Sequence, residues 1–311
     1  MFPQQRISVE LAPGTLPYPM SHPAPSESAV SYRGVTFRYG ASPTGVSTDD
    51  RPTLENITLD VHAGERLGIL GPNGGGKSTL LKLTLGILTG YTGAISILGM
   101  TPAEARKRAV IGYVPQRPTV EFGFPVSVRD AVRMGASVGV PSWQALSVET
   151  QRSIDDAIDV VGANSFASRP VGKVSGGQFQ RAMIARAIAR RPRILLLDEP
   201  TVGIDPAGQR QFAELLDRLS RDLRLTVIVV SHDIRTVAAG CDRVACLSRT
   251  LHFHDAPSGL TPSVLAEVFR HDVAAVFGDV HVDAHAAAAC KDPSHHHHTP
   301  ASAPRHRDGG A

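Results

Sequence analysis

A run of glycines between a short apolar segment and a helix constrains the fold of this chain more than any other feature of its sequence. The run is Gly71, Pro72, Asn73, Gly74, Gly75, Gly76, Lys77, Ser78 and Thr79, and it follows the apolar residues 67–70. It fits the pattern G-x-x-x-x-G-K-[ST], in which glycines let backbone N–H groups turn inward around phosphate oxygens. A helix predicted from Lys77 to about Leu88 directs the positive end of its dipole at the same anion.

The side chains at the end of this loop suit a nucleotide with bound magnesium. Lys77 supplies a mobile positive charge for the β- and γ-phosphates, and Ser78 offers a hydroxyl to Mg²⁺. Thr79 can reach another phosphate oxygen. The alternative is a glycine-rich turn that binds nothing, but the strand before the run and the helix after it favour a phosphate loop.

An apolar strand that ends in two carboxylates is the second motif. Residues 194–197 are Ile-Leu-Leu-Leu, and Asp198 and Glu199 follow them. Such a strand delivers its last side chains to the carboxyl edge of the sheet, where the ligands of α/β proteins bind. Asp198 is placed there to hold the Mg²⁺ shell, and Glu199 to polarise an attacking water as a general base. In isolation an acidic strand end in solvent would be the favoured interpretation, and the phosphate loop upstream reverses that preference.

Short apolar strands separated by helices indicate an α/β domain. Residues 35–39 and 57–61 alternate apolar and polar side chains, as half-buried strands do. Residues 194–197 and 226–230 are continuous apolar runs, which are typical of parallel strands covered on both faces. The sequence therefore predicts an α/β fold with a buried parallel sheet.

Two helical regions accompany these strands. Asp205 is expected to N-cap a helix that begins with Pro206, since apolar residues keep helical spacing from there to Leu223. Residues 117–173 carry amphipathic stretches near 127–138 and 149–161 and no convincing strand. They are interpreted as a mostly helical insertion within the α/β domain.

Composition excludes several classes of protein. Lys plus Arg total 32 against 29 Asp plus Glu, so the formal net charge of +3 does not indicate a nucleic-acid partner. The longest apolar runs have strand length, far below the roughly 20 residues that a transmembrane helix needs. The cysteines Cys241, Cys246 and Cys290 are too few and too late in the chain to staple a secreted fold, which favours a reducing compartment.

The third motif identifies the family. Val174, Ser175, Gly176, Gly177 and Gln178 precede an alanine-rich helix, and this run resembles the LSGGQ signature of ATP-binding cassette (ABC) ATPases. A serine and two glycines at a helix start form a second anion site, whereas the run alone would be equally consistent with a flexible helix cap. With all three motifs in order, residues 29–260 resemble an ABC nucleotide-binding subunit.

This resemblance implies a fold and a division of the chain. It predicts a P-loop NTPase (RecA-like) core of the ABC ATPase type, with an antiparallel β subdomain and an inserted helical subdomain at about residues 117–180. The ATPase domain is expected at residues 29–278. A Pro-rich leader at 1–28 and a tail rich in His and Ala at 279–311 are predicted to be disordered.

The resemblance also assigns roles to single residues. Tyr39 matches the aromatic residue that stacks on adenine, and Gln116 matches the glutamine loop that ligates Mg²⁺. Asp205 matches the D-loop that crosses the dimer interface, and His232 matches the switch histidine that contacts the γ-phosphate. Outside that context Tyr39 would more often be a core residue, and His232 a polar cap at a strand end.

The chain departs from the family pattern at two positions. Val174 stands where leucine is usual, and Gly203 stands where alanine is common. Neither change removes a catalytic group, because Lys77, Glu199 and His232 are all present. The chain is therefore expected to hydrolyse ATP.

The ABC arrangement implies partners. Two copies of the chain meet head to tail, so that each ATP lies between one phosphate loop and the partner's signature segment. Loss of the γ-phosphate opens the dimer and becomes a rigid-body movement. With no membrane span predicted in this chain, the movement is expected to act on a separate, dimeric integral-membrane permease. The chain itself is expected to lie peripherally at the cytoplasmic face of the cell membrane. An extracytoplasmic metal-binding protein would take part indirectly, and no nucleic acid is expected.

The segment after the glutamine loop indicates the cargo. Residues 112–132 place an aromatic-Pro-Val sequence after Gln116, and this stretch resembles ATPase subunits of the zinc/manganese/iron importer family. The alternatives are an ABC subunit for another cargo, such as an iron chelate, a drug or a lipid, and a soluble ABC ATPase without a transport role. The soluble class generally carries two cassettes or a long coiled-coil insertion, and this chain has neither.

The distribution of histidines favours zinc among these metals. Ten of the 13 histidines follow residue 250, and the candidate ligands in the tail are His281, His285, His295, His296, His297 and His298. Imidazole is a common ligand for zinc, whereas manganese favours oxygen ligands. The alternative for residues 295–298 is a tag or an incidental low-complexity tract.

Overall fold

The computed structural model describes residues 27–40, 51–116, 126–141, 143–201, 204–234, 237 and 240–269. The predicted tail at 279–311 and nearly all of the predicted leader lie outside the described residues. Gly203 and residues 117–125, which belong to the segment that resembles metal importers, also lie outside them.

The described residues form strands and helices that alternate along the chain. The strands are β1 (Ser28–Phe37), β2 (Leu54–His62), β3 (Arg66–Leu70), β4 (Thr92–Ile97), β5 (Ile111–Val114), β6 (Ile194–Asp198), β7 (Thr226–Ser231), β8 (Arg243–Ser248) and β9 (Thr250–Asp255). The helices are α1 (Lys77–Thr84), α2 (Pro102–Lys107), α3 (Val128–Ala136), α4 (Val148–Val160), α5 (Gly176–Ile188), α6 (Pro206–Leu223) and α7 (Pro262–Phe269). This order confirms the predicted α/β class.

A three-stranded antiparallel sheet has the order β2-β1-β4. Its strands alternate buried and exposed residues because only one face packs on the core. The buried side chains include Tyr32, Ile57 and Leu59, and they join the core that lies over one face of the second sheet. This sheet is the antiparallel part that the family resemblance predicted.

The second sheet has six strands in the order β5-β6-β7-β3-β8-β9. The first five are parallel, and β9 pairs antiparallel with β8. Both β6 and β7 are buried at every position, as their continuous apolar sequences predict. In this order the strand β3 lies inside the sheet between β7 and β8, and the glycine run follows its carboxyl end.

A helical layer packs beside the parallel sheet. The helices α3, α4 and α5 contact one another, and α3 and α4 coincide with the two predicted amphipathic stretches. Each begins after a serine whose hydroxyl accepts a backbone N–H, namely Ser127, Ser147 and Ser175. The helix α5 continues to Ile188, which lies beyond residue 180, the expected end of the inserted helical subdomain.

Several local expectations need correction. The helix after the glycine run ends at Thr84 rather than near Leu88, because Gly86 adopts a left-handed conformation with φ of 62°. The strand β4 was not predicted, since its first half, Thr92 to Ala94, is exposed and without apolar alternation. Among the described residues no helix is both long enough and apolar enough to cross a membrane.

Candidate functional site

The glycine run forms a loop between β3 and α1, and its glycines are required by close approach of backbone. A Cβ added to Gly71 would lie 2.0 Å from the carbonyl oxygen of Leu247, and one added to Gly75 would lie 2.9 Å from the same atom. Gly76 has a φ of 94°, a left-handed conformation that side chains disfavour. The carbonyl of Gly75 accepts the N–H of Arg249 at 3.0 Å. The turn between β8 and β9 thus supports the loop from behind.

Lys77 is held at the start of α1 by this loop. Its side chain is buried, and Nζ donates to the carbonyl oxygens of Gly71 at 2.7 Å and Pro72 at 2.9 Å. Burial lowers the pKa of Lys77, and the charges of Glu199 and Asp198 oppose that shift. The ammonium group therefore lies between the phosphate loop and two carboxylates, where it can turn toward an anionic ligand.

Asp198 ends β6 as a buried carboxylate. Burial raises its pKa, the charge of Glu199 raises it further, and the charge of Lys77 opposes both effects. Its Oδ1 has no hydrogen-bond partner within the part of the chain that the structure describes. A buried carboxylate oxygen without a donor is costly unless a cation satisfies it. Hard oxygen donors of this type suit Mg²⁺.

Glu199 follows Asp198 in a left-handed backbone conformation with φ of 50°. Such a conformation is uncommon for a residue other than glycine and costs on the order of 1 kcal/mol. It is held here by a hydrogen bond from the Glu199 N–H to the carbonyl of Val230 at 2.8 Å. The Glu199 Oε2 lies 2.7 Å from Nδ1 of His232, whose side chain is half exposed while that of Glu199 is buried. Two of the three predicted catalytic groups, Glu199 and His232, are thus in direct contact.

A cavity of about 300 Å³ lies at the phosphate loop and reaches Glu199, whereas Asp198 and His232 are absent from its described lining. Its lining comprises Tyr39, Thr53, Asn73, Gly74, Gly75, Gly76, Lys77, Ser78, Thr79, Gln116 and Glu199. Tyr39 is 49% exposed and packs edge-on against Phe37, with ring centroids 5.0 Å apart. Its hydroxyl lies 3.2 Å from Oγ1 of Thr79. The structure therefore brings Tyr39 and Gln116, which were placed by resemblance alone, to the phosphate loop.

The signature segment lies apart from this cavity. Ser175 caps α5, accepting the N–H of Gln178 at 3.3 Å, while Gln178 accepts the N–H of Ser175 at 3.1 Å. With Gly177 these residues line a second cavity of about 330 Å³, which also includes Arg181 and Gln211. Neither Ser175 nor Gln178 is among the described residues that line the phosphate-loop cavity.

Asp205 is used for capping in this structure. Its carboxylate accepts the N–H of Gly208 at 2.9 Å and begins α6, as the sequence predicts. Its side chain is exposed and is absent from the described lining of the phosphate-loop cavity. Gly176, at the first position of α5, is exposed as well.

The predicted zinc ligands of the tail lie outside the described residues. Within the described ranges no cluster of three or more His, Cys, Asp or Glu side chains could hold a metal ion. His252 and His254 lie on β9, where His252 is half-buried and His254 exposed. Cys241 and Cys246 are buried, and burial raises the pKa of both thiols to about 12.

Three contributors to the site carry no recognisable signal in the sequence. The carbonyl of Leu247 acts through its backbone, and Thr53 lines the cavity from the bend just before β2. Burial raises the pKa of Tyr113 on β5 to about 12, and the charge of Asp198 at the end of the neighbouring strand adds to that shift. Strand order is needed to find all three. A loop of glycines, a buried lysine and a strand-end glutamate on an α/β fold together define a P-loop protein that hydrolyses a nucleotide phosphate.

Comparison with known proteins places the chain within this class. Residues 54–202 match the ABC transporter family. A "Probable metal transport system ATP-binding protein" of Thermotoga maritima is 38% identical over 221 residues, which are 71% of this chain and 85% of the relative. The manganese transport system ATP-binding protein MntB of Halalkalibacterium halodurans is 37% identical, covering 73% and 89%. The zinc uptake system ATP-binding protein ZurA of Listeria monocytogenes is also 37% identical, covering 66% and 80%.

Solved structures agree with this placement. CbiO1 of Clostridium perfringens, part of the ABC transporter complex CbiONQ, superposes with a TM-score of 0.65 at 30% identity, covering 77% of this chain and 91% of its own. A dimeric ATP-binding cassette with ADP and phosphate in a post-hydrolysis state has a TM-score of 0.59 at 28% identity, covering 74% and 100%. The chain belongs to the ABC transporter family, and it is an ATP-binding subunit with ATPase activity.

Proposed function

We propose that this chain hydrolyses ATP to power the import of a divalent metal ion, with zinc preferred, through a separate membrane permease. The observation that supports hydrolysis is the contact between buried Glu199 and His232 beside the phosphate loop. The observation that supports the cargo is the set of relatives named for metal, manganese and zinc transport.

Nucleotide binding begins with the phosphate loop. Backbone N–H groups and the N-terminus of α1 attract the phosphates, and the Lys77 ammonium turns from the carbonyls of Gly71 and Pro72 to phosphate oxygens. Tyr39, exposed at the rim of the cavity, stacks on the adenine. Burial of Lys77 strengthens its attraction to the phosphates, because low dielectric screens charges less than water does.

Ser78, Gln116 and Asp198 are the residues that would hold Mg²⁺ with the nucleotide. The fit rests on the buried Asp198 Oδ1, which has no hydrogen-bond partner among the described residues, and on the oxygen ligands that all three residues offer. When bound, Mg²⁺ neutralises charge on the β- and γ-phosphates.

Glu199 is the general base of this mechanism. Its carboxylate accepts a proton from the attacking water, whose oxygen bonds to the γ-phosphorus while the bond to the β-phosphate oxygen breaks. His232 holds the carboxylate in place through Oε2 and, being half exposed, can contact the γ-phosphate at the mouth of the site. The products are ADP and phosphate.

A second copy of the chain completes the site. The signature residues Ser175, Gly176, Gly177 and Gln178 begin α5 away from the phosphate loop, and their N–H groups and hydroxyl suit an anion. We infer that they bind the γ-phosphate held by the partner. A related cassette that was solved as a dimer with ADP and phosphate supports this arrangement.

The permease and the cell membrane follow from the family. As an ATP-binding subunit of an ABC transporter, the chain associates peripherally with a membrane partner. We propose that the partner is a dimeric permease, that the chain lies at its cytoplasmic face, and that an extracytoplasmic protein delivers the metal. Histidines after residue 250 favour zinc as the cargo.

The test of hydrolysis is Glu199→Gln with Glu65→Gln as a matched control. The Glu65 side chain is only 9% exposed, but its carboxylate pairs with Arg243 at 2.9 Å next to the opposite end of β3. Glu199→Gln is expected to bind ATP normally, to lose multiple turnover and to accumulate a closed dimer, whereas Glu65→Gln hydrolyses ATP. Turnover by Glu199→Gln near the wild-type rate would contradict the assignment.

The test of cargo is ATP-dependent uptake of radioactive zinc and manganese by vesicles that contain the subunit and its co-purified permease. Zinc uptake that is lost with Glu199→Gln supports the proposal. Uptake of neither metal by vesicles that hydrolyse ATP would refute metal import while leaving the ATPase assignment intact.

A further inference from the structure

Arg249, in the turn between β8 and β9, has a left-handed backbone conformation with φ of 65°. Such a conformation is costly for a residue other than glycine and persists only where surrounding contacts fix it. Three hydrogen bonds fix it here. The N–H of Arg249 donates to the carbonyl of Gly75 at 3.0 Å, its carbonyl accepts the N–H of Glu55 at 2.8 Å, and its Nε donates to the carbonyl of Pro52 at 3.2 Å. One residue thus joins the phosphate loop to the start of β2.

The segment that is held in this way forms part of the wall of the phosphate-loop cavity. Its two hydrogen bonds to Arg249 lie on either side of Thr53, which lines the cavity. The N–H of Thr53 donates to the carbonyl of Phe37 at 2.9 Å, and the ring of Phe37 packs edge-on against Tyr39 with centroids 5.0 Å apart. A continuous path of contacts therefore connects Arg249 with the residue that stacks on adenine in the proposed mechanism.

The two ends of this segment are held by different groups. Its later part packs on the phosphate loop, since a Cβ built on Gly76 would lie 2.6 Å from Cδ2 of Leu54. The backbone bond from Glu55 to Arg249 holds the same part. Of the three hydrogen bonds of Arg249, only the bond to Pro52 uses its side chain. Loss of that side chain therefore frees the start of the segment and leaves the phosphate loop supported.

We propose that Arg249 is a positioning residue for the adenosine part of ATP: its side chain fixes the segment before β2 and thereby the separation between Tyr39 and the phosphate loop. The proposal rests on the proposed function, because it requires Tyr39 to stack on adenine. Arg249 acts from outside the site, since it is absent from the described lining of the cavity.

The test compares Arg249→Met with Arg249→Gln in the full chain. Both substitutions remove the guanidinium charge. Glutamine keeps an N–H donor at the same number of bonds from the backbone as Nε of arginine, whereas methionine has a methyl group there. Calorimetry with Mg²⁺ present measures the affinity for a non-hydrolysable ATP analogue and for inorganic tripolyphosphate, which lacks adenosine.

The two variants should differ for one of the two ligands. Arg249→Met is expected to bind the analogue about tenfold more weakly and tripolyphosphate within about twofold of wild type, because a hydrogen bond from a charged donor contributes roughly a factor of ten. Arg249→Gln should bind both ligands within about threefold of wild type. Equal losses for the two ligands, or equal losses in the two variants, would overturn the proposal. Failure of the wild type to bind the analogue would instead refute the proposed function.

A second comparison asks whether Arg249 acts through Tyr39. Residues that act through one another have non-additive effects, so adding Arg249→Met to Tyr39→Leu should weaken binding of the analogue by less than about a further twofold. A further tenfold loss would overturn the proposal.

A measurement on the wild type guards against misfolding of the variants. Coupling between two sites is reciprocal, so adenosine binding must strengthen the bond that favours it. The Nε–H of Arg249 should therefore exchange with solvent more slowly when the analogue is bound than when tripolyphosphate is bound. Equal exchange rates by nuclear magnetic resonance would overturn the proposal.

Discussion

Replacing Gly177 by alanine is expected to change two properties in opposite directions. The stability of the single subunit should rise, while ATP-dependent dimerisation should weaken. Gly177 lies in the first turn of α5 with an ordinary negative φ, and a Cβ built there meets nothing within 4 Å. Alanine is a better helix former than glycine by about 0.5–1 kcal/mol. The free energy of unfolding of the isolated subunit should therefore rise by up to that amount. A domain of this size gains roughly 2–4 °C in Tm for each kcal/mol.

Assembly should respond in the opposite direction. In the proposed dimer the backbone of Gly177 approaches the partner's γ-phosphate, and a methyl group there displaces that anion from the N–H groups at the start of α5. A hydrogen bond to a charged group contributes about 1.5–3 kcal/mol, so each of the two equivalent sites should weaken roughly 10- to 150-fold. Gly177→Ala is therefore expected to be more stable and yet unable to form the ATP-bound dimer.

The assay is light scattering after size exclusion with ATP, in the Glu199→Gln background that blocks hydrolysis. ATP affinity of the monomer is measured alongside and should not change, since Gly177 is outside the described lining of the phosphate-loop cavity. Gly208→Ala is the contrasting control, because its Cβ would lie 2.5 Å from Ile204 Cγ2 and 2.8 Å from Asp205 Oδ1. That variant should lose stability. Dimers of Gly177→Ala at the wild-type ATP concentration would refute the composite site.

Three further predictions concern Lys77, Asp242 and the tail at residues 279–311. Lys77→Ala should weaken ATP binding and turnover together, with affinity falling roughly 10- to 100-fold by calorimetry, and unchanged affinity would contradict the phosphate-loop assignment. Burial alone would raise the pKa of Asp242, but hydrogen bonds and charge from Arg66 outweigh it and hold that pKa below its usual range, so Asp242→Asn should lose less than about 1 kcal/mol at pH 7. Urea titrations should show this loss shrinking as pH falls through the lowered folded pKa, because protonation ends the ion pair in the wild type too. Deleting residues 279–311 should abolish modest Zn²⁺ binding, weaker below about pH 6.5, and leave ATPase activity intact, whereas equal zinc binding by both proteins would show the tail to be inert.

How much of this protein could be predicted from sequence depends on whether a feature is local. The phosphate loop, the strand that ends at Asp198 and the Asp205 cap were all predictable, because each is encoded in a few consecutive residues. The α3 and α4 helices were predictable from their amphipathic spacing. The strand β4 was missed because its exposed first half lacks the apolar and polar alternation that indicates a strand. Short motifs and the periodic spacing of apolar residues therefore predict most of the helices and strands.

Features that depend on strand order were beyond the sequence. The hydrogen bond between Glu199 and His232 joins the ends of neighbouring strands, and the support of Gly75 by Arg249 joins residues far apart in the chain. The place of Tyr113 beside Asp198 depends on the register of β5 against β6, which no motif specifies.

The place of β3 in the sheet has a consequence for how the chain folds as it is made. The strand that leads into the phosphate loop pairs with β7 on one side and β8 on the other, and β8 ends at Ser248. A ribosome that adds about 5–20 residues per second needs roughly 10–35 s to proceed from Leu70 to that residue. Until β7 is complete at Ser231, the apolar strand has both edges unpaired, and until β8 is complete at Ser248 it lacks the strand that packs behind its glycines. The nascent chain is thus unable to hold nucleotide until most of the domain has emerged, and the ATP site is among the last parts to form.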